Sequence, residues 1–87
     1  MNPFIQLINL TFQIKQNEDD VIKSYELQVD IDKKEKFNDI EKRLKEKYPE
    51  LKDVEMGTFR NDADIINKDK TVEQNNIKGD TIIIVNI

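Results

Sequence analysis

The middle of the chain carries the pattern of an amphipathic helix. Between residues 37 and 51, apolar side chains recur at steps of three or four: Phe37, Ile40, Leu44, Tyr48 and Leu51. The residues between them are almost all charged, so the spacing predicts one helix with a buried face and a solvated face. Asp32 and Glu35 are placed to cap its start. Pro49 disfavours helical geometry in the residue before it, so we expect the helix to end at or before Tyr48.

Alternating patterns before this helix predict two strands. Residues 8–14 and 25–32 place an apolar side chain at every second position, which is typical of half-buried strands. Ile5 and Leu7 fall on the opposite parity, which leaves open a bulge or an outward contact. Polar residues 15–23 between the two strands indicate a hairpin loop longer than the tightest turns.

The second half of the chain predicts shorter elements. Residues 54–60 form a weak strand pattern, in which Gly57 suggests a bulge or an edge, and residues 65–66 predict a short strand. Thr71 and Gln74 have the spacing of a capping box, which predicts a single helical turn. Residues 82–85 are apolar on both parities, as in strands that lie centrally in a sheet with both faces covered. The whole pattern predicts a single α+β domain over residues 1–87.

The composition excludes most catalytic chemistry. The chain has no cysteine and no histidine, so it lacks a thiolate nucleophile, sulfur metal ligands and the commonest general base. Acidic residues 18–20 and 61–64 lack the twelve-residue loop that ends in a bidentate glutamate, which argues against a metal site. No glycine loop that could hold phosphates is present. We therefore expect no enzyme activity, no cofactor and no small-molecule substrate.

Net charge and hydropathy also limit the classes of partner that we expect. The net charge of −4 argues against binding to nucleic acid. No apolar run approaches the roughly 18 residues of a membrane span, and the first residues lack a signal peptide's basic region and cleavage site. We expect a cytoplasmic or other intracellular protein that does not interact with membranes.

The order of elements resembles the β-grasp fold of ubiquitin-like domains. Three stretches carry the resemblance: Phe37-x-x-Ile40-x-x-x-Leu44, Lys70-Thr71-Val72-x-x-x-x-Ile77, and Gly79-Asp80-Thr81-Ile82-x-Ile84-Val85. The resemblance implies a four- to five-stranded mixed sheet with one main helix and a short helical turn. It also implies a protein-protein interaction module, either free-standing or a subunit of a larger complex.

Family members that are conjugated or that carry sulfur end in a Gly-Gly tail. The glycines of this sequence are Gly57 and Gly79, and the sequence stops at Ile87, so we expect a module that is not itself conjugated. The alternative is a ubiquitin-like modifier or sulfur carrier whose Gly-Gly tail is missing from this chain.

The resemblance places the protein-binding site on the outer face of the sheet. Val85 matches the family's patch valine, so we expect Ile82 and Ile84 to face the helix. Ile83, Val85 and Ile87 would then form an outward apolar centre, with Thr58 and Arg60 at its rim. A different hypothesis is strand addition at an exposed edge formed by residues 54–60. Docking through the basic face of the helix is a third.

Overall fold

The computed structural model of the protein describes residues 7–17 and 20–87. Within these residues the chain forms a five-stranded mixed sheet, one α-helix and two short 3-10 turns. The elements are β1 (Leu7–Asn17), β2 (Asp20–Asp30), a 3-10 turn (Ile31–Lys33), α1 (Phe37–Lys47), a 3-10 turn (Pro49–Leu51), β3 (Phe59–Asn61), β4 (Asp64–Ile65) and β5 (Thr81–Asn86). The predicted α+β class is confirmed.

The sheet has the strand order β2-β1-β5-β3-β4. β1 pairs antiparallel with β2 and parallel with β5, and β3 pairs antiparallel with both β5 and β4. The last strand is therefore central, as predicted. The strand predicted over residues 54–60 begins only at Phe59, and the residues before it form no strand. β3 itself lies between β5 and β4, so it does not provide the exposed edge that was predicted.

The hydrophobic core lies between α1 and one face of the sheet. Its fully buried side chains come from β1, β2, β3, β5 and α1: Leu10, Phe12, Val29, Phe37, Ile40, Leu44, Phe59, Ile83 and Val85. The Phe59 ring makes edge-on contacts with Phe12, at a centroid distance of 5.9 Å, and with Phe37, at 6.5 Å. These contacts join the central strands to the start of the helix, and the opposite face of the sheet is left without a helix among the described residues.

The helix ends where the sequence predicts it. Tyr48 is the C-cap residue and donates its amide hydrogen to the Leu44 carbonyl. Pro49 then opens the second 3-10 turn, which carries the buried Leu51. The proline rule therefore gives the correct boundary, and the last apolar residue of the stripe reaches the core from a separate turn.

The predicted cap at the start of the helix is wrong for Glu35. Its carboxylate binds the Arg43 guanidinium, at 2.8 and 2.9 Å, while the Asp32 side chain lies outside what the structure describes. The first helical amides donate to backbone carbonyls instead. The Phe37 amide donates to the Lys70 carbonyl at 3.1 Å, and the Asn38 amide donates to the Lys68 carbonyl at 3.0 Å. The loop before the helical turn thus anchors the helix.

The capping box is present as predicted. The Thr71 amide donates to Gln74 Oε1 at 3.0 Å, and the Gln74 amide donates to Thr71 Oγ1 at 3.1 Å. The Asn75 amide donates to the Thr71 carbonyl, which closes one turn of helical type.

The first hairpin is longer than the alternation suggests. β1 runs to Asn17 and β2 begins at Asp20, so the predicted loop over residues 15–23 is wrong. Residues 18–19 lie outside the described residues. Leu7 is exposed on the parity opposite to the core, and Ile5 is not described.

Gly57 lies where two backbones meet. Its amide donates to the Asn86 carbonyl at 2.9 Å, and a Cβ at Gly57 would lie 2.6 Å from that oxygen. Its φ is not positive, so the close approach to the end of β5 explains the glycine and no special backbone conformation is involved.

Candidate functional site

The phase of β5 decides which side chains form the outer face of the sheet. Ile83 and Val85 are 0% exposed, so the prediction that they face outward is wrong. In the parallel pairing of β1 with β5, Phe12 lies opposite Ile83 and Ile14 lies opposite Val85. Paired residues point to the same side of a sheet, and the buried residues of β1 therefore place Ile83 and Val85 in the core.

Ile82 and Ile84 consequently lie on the outer face. Ile82 is 50% exposed and Ile84 is partly exposed. Arg60 on β3 pairs with Ile84 on one side and with Ile65 of β4 on the other. Since neighbouring strands are about 4.8 Å apart, the two isoleucines flank Arg60 at a separation of about 10 Å. We call Arg60, Ile65, Ile82 and Ile84 the isoleucine–arginine face.

The other predicted site residues lie around this face or away from it. Thr58 is exposed, and its carbonyl accepts the Asn86 amide at 3.0 Å. Ile87 is 42% exposed, but it follows the parity of the two buried residues of β5, and its amide donates to the Lys15 carbonyl. Of the predicted residues, Arg60 lies within the new face and Thr58 lies two residues before it along the chain.

Ile65 is a residue of the face to which the sequence analysis gave no site role, whereas Ile82 and Ile84 were predicted to face the helix. It is 72% exposed, whereas the next residue, Ile66, is buried. Two successive isoleucines in a strand must point to opposite sides, so one of them had to face away from the core. That signal was available in the sequence, although it does not identify which isoleucine is exposed.

Arg60 has no polar partner among the described residues. Its Nε is buried, and no hydrogen-bond acceptor lies within reach of it. Asp62 lies in the adjacent turn and Asp64 begins β4. The ion pairs between described residues, however, join Lys23 to Glu50, Arg43 to Glu35 and Lys68 to Glu41. Among the described residues, the Arg60 guanidinium therefore has no counter-ion.

The far side of the same sheet face is acidic. Glu26 on β2 lies opposite Thr11, which lies opposite Ile82, and the Glu26 side chain is exposed. Two strand spacings, or about 10 Å, separate β2 from β5. The outer face thus changes from acidic at β2 to apolar and cationic at β3.

Three donors from the end of α1 and the residue after it bind the free side of β2. Tyr48 Oη donates to the Glu26 carbonyl at 2.7 Å, and Lys47 Nζ donates to the same oxygen at 3.2 Å. Arg43 Nη1 donates to the Gln28 carbonyl at 3.4 Å. We call Arg43, Lys47 and Tyr48 the edge clamp. Because two basic side chains of the helix are engaged in it, they are less available for the alternative of docking through the helix.

The groups with shifted pKa values lie on β2 and in the second 3-10 turn, away from the isoleucine–arginine face. A hydrogen bond from Lys23 lowers the pKa of the Glu50 carboxyl, and the same bond raises the pKa of Lys23. Burial is the main cause that raises the pKa of Tyr25. An exposed lysine–glutamate pair and the burial of one tyrosine account for these pKa shifts without a catalytic role.

Concave and acidic features offer no better site in the part of the chain that is described. A surface pocket of about 290 Å³ is lined by Lys45, Glu46, Pro49 and Lys52, and none of these side chains is buried. No group of three carboxylate, histidine or cysteine side chains among residues 7–17 and 20–87 could hold a metal ion.

Comparison with known proteins returns no family model and no curated protein that matches the chain. In the described residues, no helix has the length and apolar composition needed to cross a membrane. The candidate site therefore rests on the geometry of the sheet.

Proposed function

We propose that this protein is a non-catalytic protein-interaction module with the β-grasp fold of ubiquitin-like domains. The order of the elements along the chain supports the fold: a hairpin, a helix, two short strands, a capped turn and a final strand. So does the strand order, in which the first and last strands lie side by side and parallel at the centre. The function rests on this fold and on the outer face.

The exposed apolar side chains on the central strand carry the functional part of the proposal. Ile82 and Ile84 present β-branched side chains on the face opposite α1, and Ile65 adds a third beside Arg60. Grouped apolar side chains on a surface are typical of protein-binding sites. Arginine is enriched among the residues that contribute most to binding. This face replaces the predicted centre at Ile83 and Val85, which are buried.

The proposal is tested by affinity capture with the intact chain from lysates of the source cells. The double variant Ile82→Asp/Ile84→Asp places two charges in the face. A matched control, Ser24→Asp/Gln28→Asp, adds the same charges at exposed positions of β2. Circular dichroism verifies that each variant is folded, and Ile82→Asp alone is used if the double variant unfolds.

We expect a set of partners that the wild type and the control retain and that the isoleucine variant loses. The same partners on all three proteins would refute the proposed face. A module that is free-standing and one that is a subunit of a larger complex differ in apparent size, which gel filtration of the native lysate measures.

A further inference from the structure

We infer that the partner presents an aspartate or glutamate carboxylate, flanked by aliphatic side chains, to Arg60. This inference rests on the proposed function, because it assigns the chemistry of the group that binds the isoleucine–arginine face. It follows from an unsatisfied donor, from the charges around that donor and from the apolar side chains on either side of it.

The first argument is the Nε–H of Arg60. Buried donors are nearly always hydrogen-bonded, and an unpaired one is unfavourable. In the described structure this nitrogen is buried and has no acceptor. Because Nε is buried, a partner's acceptor reaches it only if the Arg60 side chain, which is partly exposed, turns outward on binding. That hydrogen bond would then remove the penalty, so the donor favours binding of a group that accepts hydrogen bonds.

The second argument is charge. On the described part of the outer face, the side chains that register places around Arg60 are those of Ile84 and Ile65, with Gln13 one strand further away. Asp62 and Asp64 lie close to Arg60 along the chain, but the ion pairs between described residues do not include Arg60. The exposed carboxylate of Glu26 lies on β2, about 14 Å across three strand spacings. A planar guanidinium matches a carboxylate with two parallel hydrogen bonds, so an acidic side chain is the acceptor that the face fits best.

The third argument is the surroundings of the guanidinium. Ile65 and Ile84 lie one strand to either side of Arg60, and Ile82 extends the apolar surface along β5. A partner that covers these side chains excludes water from the ion pair and strengthens it. The acidic residue of the partner should therefore have leucine, isoleucine or valine neighbours. Nucleic acid fits less well, since the chain has a net charge of −4 and backbone phosphates favour basic surfaces.

The experiment selects peptides from a random display library against the intact protein. Selected sequences are synthesised with blocked termini, and their affinities are measured by fluorescence anisotropy for the wild type, Arg60→Gln and Ile82→Asp. Lys42→Gln is the matched control, because it removes the same charge from an exposed position on α1. Each peptide is also made with its acidic residue changed to the corresponding amide, and a single-stranded oligonucleotide is tested as a competitor.

We expect acidic peptides with aliphatic neighbours. Their affinity should fall about tenfold or more with Arg60→Gln and with the amide peptide, and it should be unchanged with Lys42→Gln. The inference is overturned if no peptide is selected, if the selected peptides lack acidic residues, or if Arg60→Gln binds them as well as the wild type does. Displacement of the peptides by the oligonucleotide, with loss of oligonucleotide binding in Arg60→Gln, would overturn it in favour of phosphate recognition.

The two proposals fail differently. Peptides that are lost with Ile82→Asp but retained with Arg60→Gln leave the binding face in place and remove only the acidic partner. Peptides that bind both variants as tightly as the wild type remove the face itself.

Discussion

Ile82 and Ile83 are adjacent and chemically identical, but the structure places them on opposite sides of the sheet. Ile83 is 0% exposed and packs in the core, whereas Ile82 is 50% exposed on the outer face. Replacing each in turn by alanine removes the same three carbons in the same strand. The comparison therefore isolates burial from strand propensity.

The expected costs differ because only one site is fully buried. Removing three buried carbons at Ile83 loses about 2.4 kcal/mol of transfer free energy, at about 0.8 kcal/mol for each carbon. A cavity in the core adds to this, which gives about 3–4 kcal/mol. At Ile82 about half of the transfer term applies and no closed cavity forms, so about 1 kcal/mol is expected.

Urea unfolding followed by circular dichroism measures the two costs. For a domain of this size, each kcal/mol shifts the melting temperature by about 4–8 °C. In thermal unfolding, a difference of at least about 2 kcal/mol should therefore make Ile83→Ala melt at least about 8 °C below Ile82→Ala. If Ile83→Ala does not fold, Ile83→Val, with an expected cost of about 0.5–1.5 kcal/mol, is compared with Ile82→Val, which should cost less because its side chain is half exposed. Equal stabilities of the two alanine variants, or a larger loss at Ile82, would refute the assignment of the outer face.

Three further predictions concern stability. Gly57→Ala should lower the free energy of urea unfolding by about 1–3 kcal/mol, because its Cβ would collide with a backbone oxygen. Gly79→Ala should lower it less, because its Cβ would meet a side-chain methyl at 3.3 Å. Equal losses for the two variants would contradict this explanation. Lys34→Gly should stabilise the protein by about 0.5–1 kcal/mol, since Lys34 has a φ of 54° that glycine adopts without strain, whereas the neighbouring Lys33→Gly should destabilise it. Glu50→Gln should be less stable than the wild type near neutral pH. The folded pKa of Glu50 is lowered, so its contribution is present above the unfolded pKa of about 4.3 and is lost as the pH falls. A difference that persists at about pH 2 would argue against the lysine pair as its cause.

The elements that the sequence predicts well are those with one clear period. The three- and four-residue steps of Phe37, Ile40 and Leu44 identify α1 and its buried face, and all three are fully buried. Tyr25 and Leu27 likewise show the core parity of β2. In both cases, the polar residues between the apolar ones leave only one way to place the element against a core.

The candidate site was harder to predict because its strands lack such contrast. Ile82 and Ile83 are equally apolar, so the alternation cannot choose a phase. That phase is set by pairing with Phe12, about seventy positions earlier in the chain. The orientation taken from the family resemblance was shifted by one residue, and a shift of one residue exchanges the two faces of a strand. Arg60 was among the predicted rim residues, but its position between two isoleucines depends on β4, a strand of two residues.

The edge clamp has a consequence for how a second polypeptide can approach this molecule. β2 is the long outermost strand of the sheet, and unpaired outer strands tend to recruit further strands and aggregate. Here, Tyr48, Lys47 and Arg43 already occupy the Glu26 and Gln28 carbonyls. An incoming chain must first displace a phenol, an ammonium and a guanidinium before it can extend the sheet along these carbonyls. The helix thus disfavours strand addition along β2. Recognition of side chains on the outer face of the sheet is therefore the less costly mode of association.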